Sequence, residues 1–236
     1  MIPLRDENPT RTTAYVVYVM IALNVILFLY NGTLRAGGGN PLAGFELVPA
    51  RLTAGHAVGA LSPVAPWLTI FTSMFLHANL LHIAGNMLYL WIFGNNIEDV
   101  LGHFKFLIFY LLAGVGAAMA QVLMDPSSQL PMVGASGAIA GVLGAYLILF
   151  PRARIVTLLF LFYYIEVVEL PASVILGFWI VLQVISNLLT PAHVGGVAYS
   201  AHVGGFVTGV ALLMLFGGKR VLGGRRPVQY RGRYDW

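Results

Sequence analysis

Four residues have types and spacings that could carry chemistry: Ser136, His202, His82 and Asn86. Ser136 lies in GASGAIAG (134–141), His202 in AHVGGFVTG (201–209), and His82 and Asn86 bracket HIAGN (82–86). A serine hydroxyl becomes a nucleophile when a neutral imidazole takes its proton. Attack on a carbonyl also needs donors aimed at the oxyanion that forms. Ser136 falls near the start of an apolar segment. If that segment is a helix, its first N–H groups are unpaired and sit at the positive end of the helix dipole. Gly134 and Gly137 leave room for a substrate backbone beside the hydroxyl. His82 and Asn86 are spaced i, i+4 and so share one helix face; a ring N–H and a side-chain amide are both donors. The set suits hydrolysis by acyl transfer, with Ser136 as nucleophile, His202 as base, and His82, Asn86, Gly134 and the Ser136 amide stabilising the oxyanion.

The elements that must position these groups are membrane spans. Of 236 residues 58% are hydrophobic and only 9% charged, where soluble domains carry about 25% charged residues. Cysteine is absent, which excludes a disulfide framework, a thiol nucleophile and a Cys-ligated metal. The opening MIPLRDENPTRTT is polar for too long to be a secretory signal, so the first apolar run reads as a retained span. Six apolar segments, 14–31, 79–96, 103–123, 133–150, 170–190 and 197–216, each approach the ~20 residues needed to cross a bilayer. Backbone groups in lipid must pair within their own segment, and no strand-like alternation is visible, so these are expected to be helices. The expectation is an all-α polytopic membrane protein, a six-helix transmembrane bundle.

Residues 155–190 are apolar almost without a break, too long for one span. They read either as two spans or as a hydrophobic loop leading into one span near Pro171. Charge favours the loop. With six spans and an inner N-terminus, Arg5, Arg11, Lys105, Arg152, Arg154 and the basic tail (Lys219, Arg220, Arg225, Arg226, Arg231, Arg233) lie on the cytoplasmic side. Only Arg35 and Arg51 lie outside. Both termini are then cytoplasmic. The chain divides into a cytoplasmic segment 1–13, a membrane domain 14–216 with a long external loop 32–78, and a basic tail 217–236 resting on anionic headgroups. Nucleic-acid binding is not expected of so short a tail on a membrane protein.

This topology gives the four polar residues a common depth. Spans 2, 4 and 6 all run inward. At 1.5 Å per residue His82 and Ser136 lie roughly 5 Å below the outer surface, His202 roughly 8 Å and Asn86 roughly 10 Å. No carboxylate in those spans matches that depth, so a dyad is expected. Gly137 and Gly141 on one helix and Gly205 and Gly209 on the other form small-residue faces that let two backbones approach. Each motif alone is weak. A lone Gly-x-Ser-Gly on an apolar helix is usually a packing face, and a lone membrane histidine is usually a core residue or a haem ligand. A haem or metal site on His82 and His202 is one rival, though HExxH is absent; a transporter is another, without an inverted repeat or charged pathway. No metal or other cofactor is expected.

Together these residues resemble the rhomboid family of intramembrane serine proteases. GASGAIAG is similar to its nucleophile motif with Ser136 as nucleophile, AHVGGFVTG to its base motif with His202 as base, and HIAGN to the element that assists the oxyanion. FTSMFLHANLLHIAGNM and ELPASVILGFWIVLQ extend the likeness over about 45–216. The resemblance implies the six-helix bacterial form, with the active site open to the outer face of the inner membrane. It further implies a short central fourth helix, a first loop lying in the interface, a fifth helix that gates entry, and single- or multi-span membrane proteins as substrates. A non-catalytic rhomboid-like protein that binds membrane clients is the alternative. Two departures stand out. An aromatic that stacks on the base in some members is Ala140 here, and AHVGG also occurs at 192–196, making His193 a second but shallower histidine.

Overall fold

The computed structural model describes residues 1–36, 42–54, 63–161, 164–190 and 196–223. Strand β1 (Ile2–Asp6) precedes helix α1 (Tyr15–Ala36). The short helices α2 (Pro49–Thr53) and α3 (Thr69–Thr72) follow, the latter between two 3₁₀ turns. Then come α4 (Leu80–Leu101), α5 (His103–Met124) and α6 (Ser136–Leu149), the strands β2 (Arg154–Leu161) and β3 (Tyr164–Pro171), and the helices α7 (Ala172–Leu189) and α8 (Tyr199–Gly223). The chain is mostly helical. Within α1, α5, α7 and α8 are stretches long and apolar enough to cross a membrane, and α4 with the segment Pro66–Phe75, bent by 82°, makes a fifth candidate.

Helix α6 is the centre of the bundle, packed against α4, α5, α7 and α8. Nine consecutive residues, Ala138–Tyr146, are buried, so the helix shows no polar face to solvent or lipid. It is shorter than the expected 133–150. Gly134 lies at φ +123° and cannot continue a helix, and Pro151 follows the far end. Fourteen residues span about 21 Å, less than a bilayer core, which a helix screened from lipid need not match.

Helix α4 runs five residues beyond the expected end because its last turns serve the N-terminal segment. Glu98, fully buried, accepts from the Val16 and Val17 amides at 2.9 and 2.8 Å and so caps the first turn of α1, while its other contact is His103 Nδ1 at 2.5 Å. Asp99 accepts from the Arg11 and Thr12 amides and the Thr12 hydroxyl. In the sequence these carboxylates mark the end of an apolar run; in the fold they hold the start of another helix.

The all-α expectation is corrected at one place. Arg154–Leu161 and Tyr164–Pro171 pair as antiparallel strands, with Arg154 opposite Pro171 and Leu161 opposite Tyr164, and β1 adds the third strand with Ile2 opposite Leu158 and Asp6 opposite Ile155. The apolar stretch before α7 is thus neither a span nor an irregular loop. Ile155, Val156, Thr157, Val167 and Val168 are β-branched, and such residues suit a pleated surface. Pro171 then caps α7, and Ala172 and Ser173 donate to the Ala153 and Pro151 carbonyls. The segment 1–13 is consequently part of the folded body.

Asp6 ties that sheet to the bundle, its Oδ2 accepting from Tyr146 Oη of α6 at 2.8 Å and Asn96 Nδ2 of α4 at 2.7 Å. Burial pushes its carboxyl up to about 6, against a partial offset from these donors. The folded state therefore holds this proton more tightly than the unfolded chain. The resulting stabilisation is complete below about pH 4 and is lost as pH rises through 6. Thermal unfolding of the detergent-solubilised protein is expected to weaken between pH 4 and 7 more in the wild type than in Asp6→Asn, by a few degrees. Identical slopes would show that Asp6 is not the group responsible.

Within the long segment after α1, Leu47 pairs with Met132 in an isolated bridge and packs with Ile70 and Met74 against Ala118 and Val122 of α5. Trp67 is exposed. The Gly37–Gly39 run and Pro41 lie outside the described residues.

Candidate active site

The first residue of α6 is Ser136, and the fourth of α8 is His202. His202 Nε2 stands 2.8 Å from Ser136 Oγ. The close-packing glycines make that approach possible. A β-carbon on Gly205 would overlap the Gly137 carbonyl, and one on Gly209 would overlap Gly141. One on Gly141 would lie 3.0 Å from the Gly205 carbonyl oxygen. The two expected faces therefore meet each other. A third helix joins them: Ala113 and Ala117 of α5 fill the space beside Gly141 and Gly137, and Ala120 that beside Gly204. The run AGVGAAMA on α5 carried this signal in its small residues.

Asn79 caps α4, accepting from the His82 amide at 2.9 Å, which puts His82 in the first turn. A β-carbon on Gly134 would meet His82 Nε2 at 2.8 Å and Asn86 Nδ2 at 3.7 Å. His82, Asn86 and Gly134 thus form one wall, two residues before Ser136. Asn86 Nδ2 is buried with no hydrogen-bond partner among the described residues, an available donor. The Gly134 amide already donates to the Ser73 carbonyl at 2.9 Å, so what this glycine contributes is space. His77, not singled out above, is buried and packs edge-on against His82 with ring centroids 5.1 Å apart. Its spacing of five from His82 matches no helical face.

Two residues of α7 complete the surroundings of His202. Gln183 Oε1 lies 2.7 Å from His202 Nδ1, and the Trp179 ring lies 5.7 Å from the imidazole, tilted by 36°. Ala140 is fully buried and has no ring to offer; the aromatic neighbour comes from a different helix. Both ring nitrogens of His202 are engaged, one by Ser136 and one by Gln183. His193 lies outside the described residues. Chemically, the geometry offers a hydroxyl at the start of a helix, an imidazole within hydrogen-bond reach of it, and the unpaired Asn86 amide donor beside Gly134.

Residues 65–219 match the family model of the rhomboid domain. The rhomboid protease GluP of Bacillus subtilis is 31% identical over 217 residues, covering 89% of this chain and 38% of that protein. Rhomboid protein 1, mitochondrial, of Saccharomyces cerevisiae is 33% identical over 150 residues, 61% of this chain and 40% of the relative. The rhomboid protease AarA of Providencia stuartii is 34% identical over 107 residues, covering 40% and 38% respectively. The chain spans less than half the length of each of these three.

Proposed function

Since the chain belongs to the rhomboid family of intramembrane proteases, we propose that it is a serine endopeptidase that cuts the membrane-spanning segments of other membrane proteins with Ser136 and His202. The observation that carries this is the 2.8 Å hydrogen bond between His202 Nε2 and Ser136 Oγ, made between two helices whose backbones touch. His202 takes the hydroxyl proton as Oγ attacks the scissile carbonyl. The oxyanion is met by the Ser136 amide, the His82 ring N–H and Asn86 Nδ2. His202 then gives its proton to the leaving amine, and water repeats the sequence on the acyl-enzyme. No step draws on a metal or cofactor.

In this reading all six long helices cross the bilayer. The sheet and both termini face the cytoplasm, and the site opens to the other side of the inner membrane. Its support is that Ser136 begins α6 at the end opposite the sheet, which collects Arg5 and Arg154. Substrates are single- or multi-span proteins presented from the lipid, with a helix end unwound to reach Ser136.

A fluorophosphonate probe tests the chemistry without a known substrate. Label is expected on Ser136 in the wild type and on nothing in Ser136→Ala or His202→Ala. A wild-type protein that captures membrane clients yet neither cleaves them nor takes the label would overturn proteolysis in favour of client binding.

A further inference from the structure

We propose that Gln183 is a positioning residue for His202, an uncharged third member of the relay supplied by the peripheral helix α7. The proposal rests on the reading of Ser136 and His202 as nucleophile and base. In a neutral imidazole one ring nitrogen carries hydrogen and the other a lone pair. Only a lone pair on Nε2 can take the Ser136 proton. Gln183 Oε1, a pure acceptor at 2.7 Å, selects the tautomer with hydrogen on Nδ1 and so leaves Nε2 free to accept from Ser136 Oγ at 2.8 Å. An aspartate performs this office in soluble triads, where it also stabilises the imidazolium by charge. A carboxylate here would carry that charge into an apolar bundle at considerable desolvation cost; an amide supplies direction without it. Trp179, one turn before Gln183 on the same helix, lies beside the imidazole and restrains its tilt.

The placement on α7 has a consequence. One turn beyond Gln183, Asn187 Oδ1 accepts from the Ser200 hydroxyl at 2.6 Å, so two side-chain hydrogen bonds at i, i+4 join this half of α7 to α8. The opposite face of α7 is exposed and apolar, including Val181, Ile185 and Leu188. The base is therefore set in its working tautomer only while α7 is seated on α8.

Three measurements on the full chain test this. In nanodiscs, ¹⁵N-histidine spectra are expected to show His202 as the Nδ1–H tautomer in the wild type and as a mixture in Gln183→Leu; this readout needs no proteolysis. In cleavage assays Gln183→Leu is expected to lower kcat by about 10- to 100-fold with KM little changed. Gln183→Glu is expected to keep most of kcat while moving the acidic limb of its pH profile up by about one unit, since a carboxylate on Nδ1 favours the imidazolium. A fully Nδ1–H tautomer in Gln183→Leu, or an unmoved acidic limb in Gln183→Glu, would overturn the assignment. Were the wild type instead inert to substrate and probe alike, the protease reading would fall while the tautomer spectra still decided the role of Gln183.

Discussion

Gly209→Val is expected to abolish cleavage and to lower the unfolding temperature of the detergent-solubilised protein by roughly 10 °C, through a loss of at least about 3 kcal/mol. The reason is backbone contact. A β-carbon at 209 would fall on the Gly141 backbone itself, not on the end of a side chain that could turn away. The neighbourhood is already filled: a β-carbon on Gly141 would lie 2.5 Å from the Ala113 side chain of α5, and one on Gly144 would lie 2.5 Å from the Phe206 carbonyl oxygen. Relief therefore requires α8 to move away from α6, and the Ser136–His202 hydrogen bond lies along that same seam, two helical turns from Gly209. Van der Waals contact between small residues supplies much of helix association in lipid, where no hydrophobic drive distinguishes protein from solvent. Gly177→Ala on α7 is the control, since nothing lies within 4 Å of the added carbon, and it is expected to leave both readouts in place. Unchanged unfolding and cleavage in Gly209→Val would mean that α6 and α8 are not held by this contact.

What could be read from the residues alone divides along physical lines. Each of the six hydrophobic runs falls on a helix, α1 or α4–α8, and most ends agree to within a few residues, because an apolar stretch advertises itself by length. The larger errors are at polar ends. Asn96, Glu98 and Asp99 read as the limit of a span but belong to α4, since their partners, the Asp6 carboxylate for Asn96 and backbone amides for Glu98 and Asp99, lie in the N-terminal segment more than eighty residues away. Local pattern carries no record of such a partner. The β2–β3 pairing was hidden for a related reason: an apolar stretch of 155–171 has no polar alternation to betray strands, and only its β-branched and aromatic content hinted at them. At the site, His82, Asn86, Ser136 and His202 were legible because polar residues are rare in such a chain and fell at one depth. Gln183 and Trp179 were not, because α7 contributes one amide and one aromatic to a helix that otherwise looks lipid-facing, and nothing local distinguishes a glutamine that meets a histidine from one that meets water.

Ser136→Ala, His202→Ala and the double variant are expected to lower cleavage by the same factor, on the order of 10⁴ to 10⁶. Independent contributions would multiply; two halves of one proton transfer do not. Without His202 the Ser136 hydroxyl keeps its proton and is a poor nucleophile, and without the hydroxyl His202 has nothing to deprotonate, so either deletion removes the whole step. The 2.8 Å contact is what makes the two act as a unit. All three variants keep the proposed oxyanion donors, His82, Asn86 and the Ser136 amide, whose binding of the carbonyl would not depend on who attacks it. His82→Ala is accordingly expected to cost less, about 10²-fold, and to act on kcat. The measurement is single-turnover cleavage of a co-reconstituted single-span substrate, with enzyme–substrate association followed separately so that binding and chemistry are resolved. A double variant markedly slower than either single would mean that Ser136 and His202 serve different steps, and the dyad would have to be abandoned. Equal losses in the three, with association intact, would place the nucleophile and its base in a single transition state.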